Sequence, residues 1–137
     1  MWRPNALSYL ASAYAELGQC DEAWGCISEA MAIIETTKQR QWEAETNRIA
    51  GVIALKSLEC DHANAQGYFE RALAVARQQQ AKSWELRAAM SMARLWRDEG
   101  KHKEARDLLA PVYGWFTEGF DTRDLKEAKA LLDELAS

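Results

Sequence analysis

Proline and histidine are scarce in this chain of 137 residues, at two each, and glycine supplies only seven positions. So few turn formers exclude a sandwich or barrel, in which every short strand must end in a turn. Histidine is the usual proton carrier near neutral pH. Both histidines fall between apolar-periodic stretches with no serine or cysteine partner in view, so nucleophilic catalysis has no visible base. No apolar run approaches the roughly 20 residues of a membrane-spanning helix. The opening Met1-Trp2-Arg3-Pro4 has neither the basic start nor the apolar core of a signal peptide. Cysteines number three, at Cys20, Cys26 and Cys60. An odd count without a leader speaks against a disulfide framework and for a reducing, cytoplasmic setting. Basic excess is also missing: 17 Lys and Arg face 21 Asp and Glu, a formal charge of −4. Neither nucleic acid nor an anionic membrane is therefore an expected partner. Acidic charge gathers at the ends, and Arg3 is the sole basic side chain in the first 37 residues.

What the chain does contain is helix formers. Alanine, leucine, glutamate and arginine dominate, and the 48% hydrophobic and 28% charged content is that of one ordinary globular domain over residues 1–137. All-α is the expected fold class.

The apolar positions repeat. Ala23, Ile27 and Ala30 recur 42 residues later as Ala65, Phe69 and Ala72, and 40 later again as Ala105, Leu109 and Val112. Ahead of each set, Leu10-Ala11 with Tyr14 corresponds to Ala50-Gly51 with Ala54 and to Met92-Ala93 with Trp96. A small residue stands in each where two helices must approach closely. Trp42-Glu43 and Trp84-Glu85 open the second and third units, and the chain starts too late for the first to have this opening. The third unit is the cleanest: a helix over 83–99 carries Ala89, Met92, Ala93 and Trp96, and after Gly100 a second buries Ala105, Leu108 and Leu109.

The spacing of a small residue, two others and an aromatic, then alanine, a large apolar residue and alanine, resembles the tetratricopeptide repeat. It is read as Ala11, Tyr14, Ala23, Ile27, Ala30 and again as Ala93, Trp96, Ala105, Leu109, Val112. The chain departs from that pattern in a period of 40 to 42 rather than 34, in Ala54 at the aromatic slot and in the missing terminal proline. The words SWELRAA, ARLW and VYGWFTEGFDTRDLKEAKALLDEL are similar to the C-terminal end of bacterial regulators that join an adenylate cyclase domain to a predicted ATPase and a tetratricopeptide tail. The resemblance implies a superhelix of three helical hairpins, at about 4–38, 41–80 and 82–118, closed by a capping helix at about 121–136. It carries over neither the cyclase nor the ATPase, whose segments are absent.

Boundaries follow from local signals. Helices are expected over 5–17, ended by Gly18, and over 21–37, 41–58 and 62–79, with Asp61 as N-cap of the fourth. Pro111 should kink or break the helix that contains it. Gly119, an Asp121 cap and a Phe120–Leu125 staple mark the start of the last helix, whose stripe is Leu125, Ala128, Leu131, Leu132 and Leu135. Trp96 is expected at the centre of packing. Leu7 or Tyr14 are expected to be exposed on the first helix, favouring a homodimer through an uncapped N-terminal end.

Several groupings could pass for chemistry. Cys20, His62 and His102 each precede a repeat alanine by three residues, but helices packed about 8–10 Å apart cannot bring them to one ion. Gly114-Trp115-Phe116-Thr117-Glu118-Gly119 has phosphate-loop glycine spacing, yet Phe120 and Asp121 replace the lysine and hydroxyl. No catalytic residue, metal site or cofactor is expected, and no enzyme. The expected function is binding of a peptide or neighbouring domain in a concave helical groove; the alternative, as the resemblance allows, is a small-ligand sensor or regulatory arm of a cyclase/ATPase signalling protein. Arg87, Met90, Arg94 and Arg97 follow at steps of three and four, opposite the Ala89, Ala93 and Trp96 stripe, and Arg48 holds the matching place one unit earlier. These five are the candidate groove, suited to an acidic peptide or a terminal carboxylate, since a guanidinium grips a carboxylate with two hydrogen bonds.

Overall fold

The computed structural model describes residues 4–38, 40–56, 62–116 and 122–136. Among them the chain is all-helical, with no strand. Seven α-helices follow in order: α1 (Pro4–Glu16), α2 (Cys20–Thr37), α3 (Glu43–Lys56), α4 (His62–Gln78), α5 (Lys82–Asp98), α6 (His102–Trp115) and α7 (Arg123–Leu135), with a 3-10 turn at Arg40–Trp42 before α3. No helix of the described residues is long and apolar enough to cross a membrane.

The helix ends show why the chain turns where it does. Gly18 stands at φ +79°, and the amide of Gln19 donates to the carbonyl of Tyr14 at 2.8 Å, closing the free end of α1. Gly100 does the same for α5 at φ +82°, with Lys101 bonded to Trp96 at 2.7 Å. This left-handed closure satisfies carbonyls that have no partner inside the helix. Two further ends use it without glycine: Lys38 at φ 61° and Gln80 at φ 56°. Asp61, Gly119, Phe120 and Asp121 lie outside the described residues; at the N-terminal end of α7 the cap position is Thr122, in extended conformation. Pro111 sits inside α6, which continues through it to Trp115 rather than breaking. Its exposed position explains the tolerance, because water can reach the carbonyl that loses its donor.

Neighbours in sequence pack together: α1 on α2, α3 on α4, α5 on α6. The odd-numbered helices also touch one another in a row, α1 to α3 to α5 to α7. Two apolar clusters result. One joins Ala11, Ala15, Ala23, Ile27, Ile49, Ala50 and Ile53; the other runs from Phe69 through Leu86, Met92, Leu95 and Leu109 to Leu131. Trp24 packs against both. The alanines read from the sequence, Ala23, Ala30, Ala65, Ala72 and Ala105, are all fully buried.

Two packing expectations need correction. Trp96 is half-buried at the edge of the larger cluster, with its indole Nε1 donating to Gln66 Oε1 at 3.4 Å; Leu86, Met92 and Leu95 are the large fully buried side chains of α5. An indole nitrogen needs a polar partner, which holds the ring near the surface. Leu7 is buried and Tyr14 is half-buried; among the α1 residues whose side chains are described, the exposed apolar ones are Tyr9 and Ala13, followed by Leu17 in the turn.

Candidate arginine cleft

The row of odd-numbered helices is laced by polar contacts between residues about 40 positions apart. Ser8 on α1 and Thr46 on α3 share a buried hydroxyl hydrogen bond of 2.8 Å. Thr46 also stays bonded to the carbonyl of Trp42, so one hydroxyl serves its own helix and its neighbour. Beside it the carboxylate of Glu45 is buried between two guanidinium groups, Arg48 on its own helix and Arg87 on α5, the latter at 2.7 Å. Arg87 reaches further, to Asp124 on α7 at 2.9 Å, and stacks on the ring of Trp84 at 5.2 Å. Arg48 also approaches Ser91 at 3.4 Å.

Two carboxylates on either side of one guanidinium set its charge. Burial works to lower the Arg87 pKa, but the hydrogen bonds to Asp124 and Glu45 outweigh it and hold the group above the ordinary arginine value. Arg97 is raised in the same way, with burial opposed by Glu134 and Asp98.

Four arginines converge on a cleft of about 270 Å³ between α3, α5 and α7: Arg48, Arg87, Arg94 and Arg123, with Asp124 and Glu127 on the far wall. Met90 forms the floor and is itself buried. Of the five candidate groove residues, Arg48, Arg87, Met90 and Arg94 are therefore brought together. Arg97 is not among them; it is tied to Glu134 at 2.8 Å and to Asp98 at 3.2 Å. Arg123 belongs to the cleft and was missed, because only the packing of α7 on α5 brings it there. Its one local sign is a pairing with Glu127 four residues on, at 2.9 Å.

The carboxylates of α7 meet the arginine face in register: Asp124 on Arg87, Glu127 on Arg94 at 3.4 Å and Glu134 on Arg97. The chain thus lays its own acidic helix along the surface that sequence reasoning offers to an acidic peptide. Even with Glu45 beneath, the four guanidinium groups outnumber the carboxylates around the cleft by one. Arg94 and Arg123 are the least committed: Arg94 is about 41% exposed and holds Glu127 only at the long limit of a hydrogen bond, and Arg123 is about 89% exposed.

A second, larger cleft of about 550 Å³ lies on the other side of α3, where α2 and α4 meet. Trp24, Met31 and Tyr68 give it an apolar wall, and Arg71 stacks on the Tyr68 ring at 5.1 Å. Among the described residues no group of three His, Cys, Asp or Glu side chains converges as a metal site would require. No protein-family model matches the chain, and no curated protein matches it.

Proposed function

We propose that this chain is a non-catalytic interaction module, folded in the manner of a tetratricopeptide array, that takes a carboxylate-bearing peptide in the arginine cleft. The observation that carries the reading is the excess of guanidinium groups around one cleft of a chain whose overall charge is negative. A peptide carboxylate entering there exchanges with Asp124 or Glu127 rather than meeting bare cations, so the electrostatic cost of opening the cleft is small. The exposed rim, where Arg94 and Arg123 sit, is the place where that exchange is easiest.

The test is fluorescence anisotropy with a labelled acidic peptide ending in a free carboxylate, against its amidated, neutral counterpart. Binding that favours the acidic peptide, weakens with salt and falls at least tenfold in the Arg94→Ala, Arg123→Ala double variant supports the reading. Equal binding of both peptides, or an unaffected double variant, would remove it.

A second reading, a small-ligand sensor arm, draws on the apolar cleft at Trp24 and Tyr68. An apolar acid that quenched Trp24 fluorescence in the native chain but not in Arg71→Ala would favour it.

A further inference from the structure

Both walls and the floor of the larger cleft come from the described residues: α2 forms one side, α4 the other and α3 the bottom. It is bounded at both ends. At one end the rings of Trp24 and Tyr68 meet with centroids 5.8 Å apart, and at the other Arg40 joins Glu35 at 3.3 Å to Glu43 at 3.1 Å. Trp24 to Glu35 covers about 16 Å of α2. That length and a volume of about 550 Å³ suit a small molecule rather than a chain passing through.

Two polar groups in this cleft are not used by the fold. Asn47 on the floor is only 4% exposed; its Nδ2 donates to the Glu43 carbonyl at 2.9 Å, and among the described residues its Oδ1 has no donor. A buried carbonyl oxygen in that state is unfavourable, and a ligand N–H would relieve it. Arg71, at the mouth, is exposed, stacks on Tyr68 at 5.1 Å and meets no carboxylate among the described residues. The carboxylates of the lining, Glu35 and Glu43, are both held by Arg40, so Arg71 is left for an anion from outside.

Helix packing calls for neither residue. The place of Asn47 in the repeat is taken by buried Leu7 on α1 and by buried Ala89 on α5. Tyr68 and Arg71 correspond to Leu108 and Pro111 on α6, which line a cleft of only about 280 Å³ between α4, α5 and α6. The same arrangement of helices therefore forms without the amide and the guanidinium. The two are also close together. Phe69 packs on Gly51 across the antiparallel pair of α3 and α4, so Asn47, one turn before Gly51, stands level with Leu73, about 3 Å of helix rise from Arg71.

We infer that this cleft binds an N-acyl amino acid, an inference that rests on the sensor reading above and gives it a ligand class. The acyl tail lies along Trp24, Ile27 and Met31, the amide N–H donates to Asn47 Oδ1, and the carboxylate meets Arg71. In such a molecule the amide nitrogen and the carboxylate are attached to the same carbon, which matches the closeness of Asn47 and Arg71. A plain fatty acid would leave the Asn47 oxygen against methylene groups, and a neutral amide would leave Arg71 without an anion.

The experiment is calorimetric titration with three probes: N-octanoylglycine; undecanoic acid, which matches its length without the amide; and N-octanoylglycinamide, which lacks the carboxylate. The native chain should bind N-octanoylglycine at least tenfold tighter than the glycinamide, and Arg71→Gln should remove that difference. Asn47→Leu, the residue that α1 carries at this position, should weaken N-octanoylglycine at least tenfold without weakening undecanoic acid. Should Asn47→Leu alter the circular dichroism, Asn47→Ala, the residue of α5, is read in the same way. Arg94→Ala, which disables the cleft lined by α3, α5 and α7, should leave all three unaltered. Equal binding of N-octanoylglycine and its glycinamide, or an equal effect of the Asn47 variant on both acids, would overturn the inference. The sensor reading would survive that result if undecanoic acid bound the native chain and Arg71→Gln weakened it. Absence of binding by all three probes would remove both.

Discussion

The ring of Phe69 on α4 occupies the space where a side chain at Gly51 on α3 would stand: a Cβ placed there would lie 2.5 Å from the ring edge. Phe69 is the largest fully buried side chain, so it has nowhere to retreat. Gly51→Ala is expected to destabilise the fold by about 1–3 kcal/mol through overpacking, despite the better helix propensity of alanine. Urea unfolding checks this, and combining it with Phe69→Leu should recover part of the loss because the two residues share one space.

Gln80 closes α4 in the left-handed conformation at φ 56°, where Gly18 and Gly100 close α1 and α5. A side chain there is strained by about 1–2 kcal/mol, partly offset by the greater freedom that glycine has when unfolded. Gln80→Gly should therefore stabilise by about 0.5–1 kcal/mol, and Gly100→Ala should destabilise. Thermal melts of the two variants moving in opposite directions would establish the point; a shared direction would refute it.

Removing Arg87 leaves the buried Glu45 carboxylate with Arg48 alone and frees Asp124. Because Arg87 is itself about one-third exposed, solvent screens part of the effect, and the expected loss for Arg87→Ala is about 2 kcal/mol. The Glu45→Gln, Arg87→Ala pair should cost less than the two single changes together, which a double-mutant cycle would measure. The Arg87 pKa is raised, so its contribution is present at all pH values below the ordinary arginine range and is lost only above it. The tie should accordingly show no loss through arginine titration between about pH 6 and about pH 9.

Burial first, and then the neighbouring Glu29 carboxylate, raise the pKa of the Cys26 thiol. Raised in the folded state, the thiol adds stability that is complete below the unfolded thiol pKa and is lost as pH climbs through the folded value. Alkylation of Cys26 by iodoacetamide, followed by mass spectrometry of its peptide, should rise at a higher pH in the native chain than in urea. Glu29→Gln should move that rise downward.

Trp96→Ala should cost about 2 kcal/mol, less than for a fully buried tryptophan, because the ring lies at the edge of its cluster. Loss of the Gln66 contact contributes to it. A change below about 1 kcal/mol in urea unfolding would show that the ring adds little to the packing.

The seven helices and most of the buried face could be read from the chain. Apolar residues at steps of three and four must fall on one side of a helix, and Ala23, Ile27 and Ala30 are buried for that reason, as are Ala65, Phe69 and Ala72. Gly18 and Gly100 mark helix ends because only glycine enters the left-handed region without strain. Lys38 and Gln80 take the same conformation with nothing in their chemistry to announce it. The arginines of α5 stand out by spacing alone, since a helix fixes which of its residues share a face. Which carboxylate each one meets depends on how far α7 and α3 are shifted along α5, and that shift is set by the fit of Leu125, Leu131 and Phe69 into the core. Local periodicity is a property of a single helix and is written into its residues. Contacts such as Arg87 with Glu45 and Asp124, across 42 and 37 positions, belong to the packing of several helices at once, and only the tertiary structure decides them.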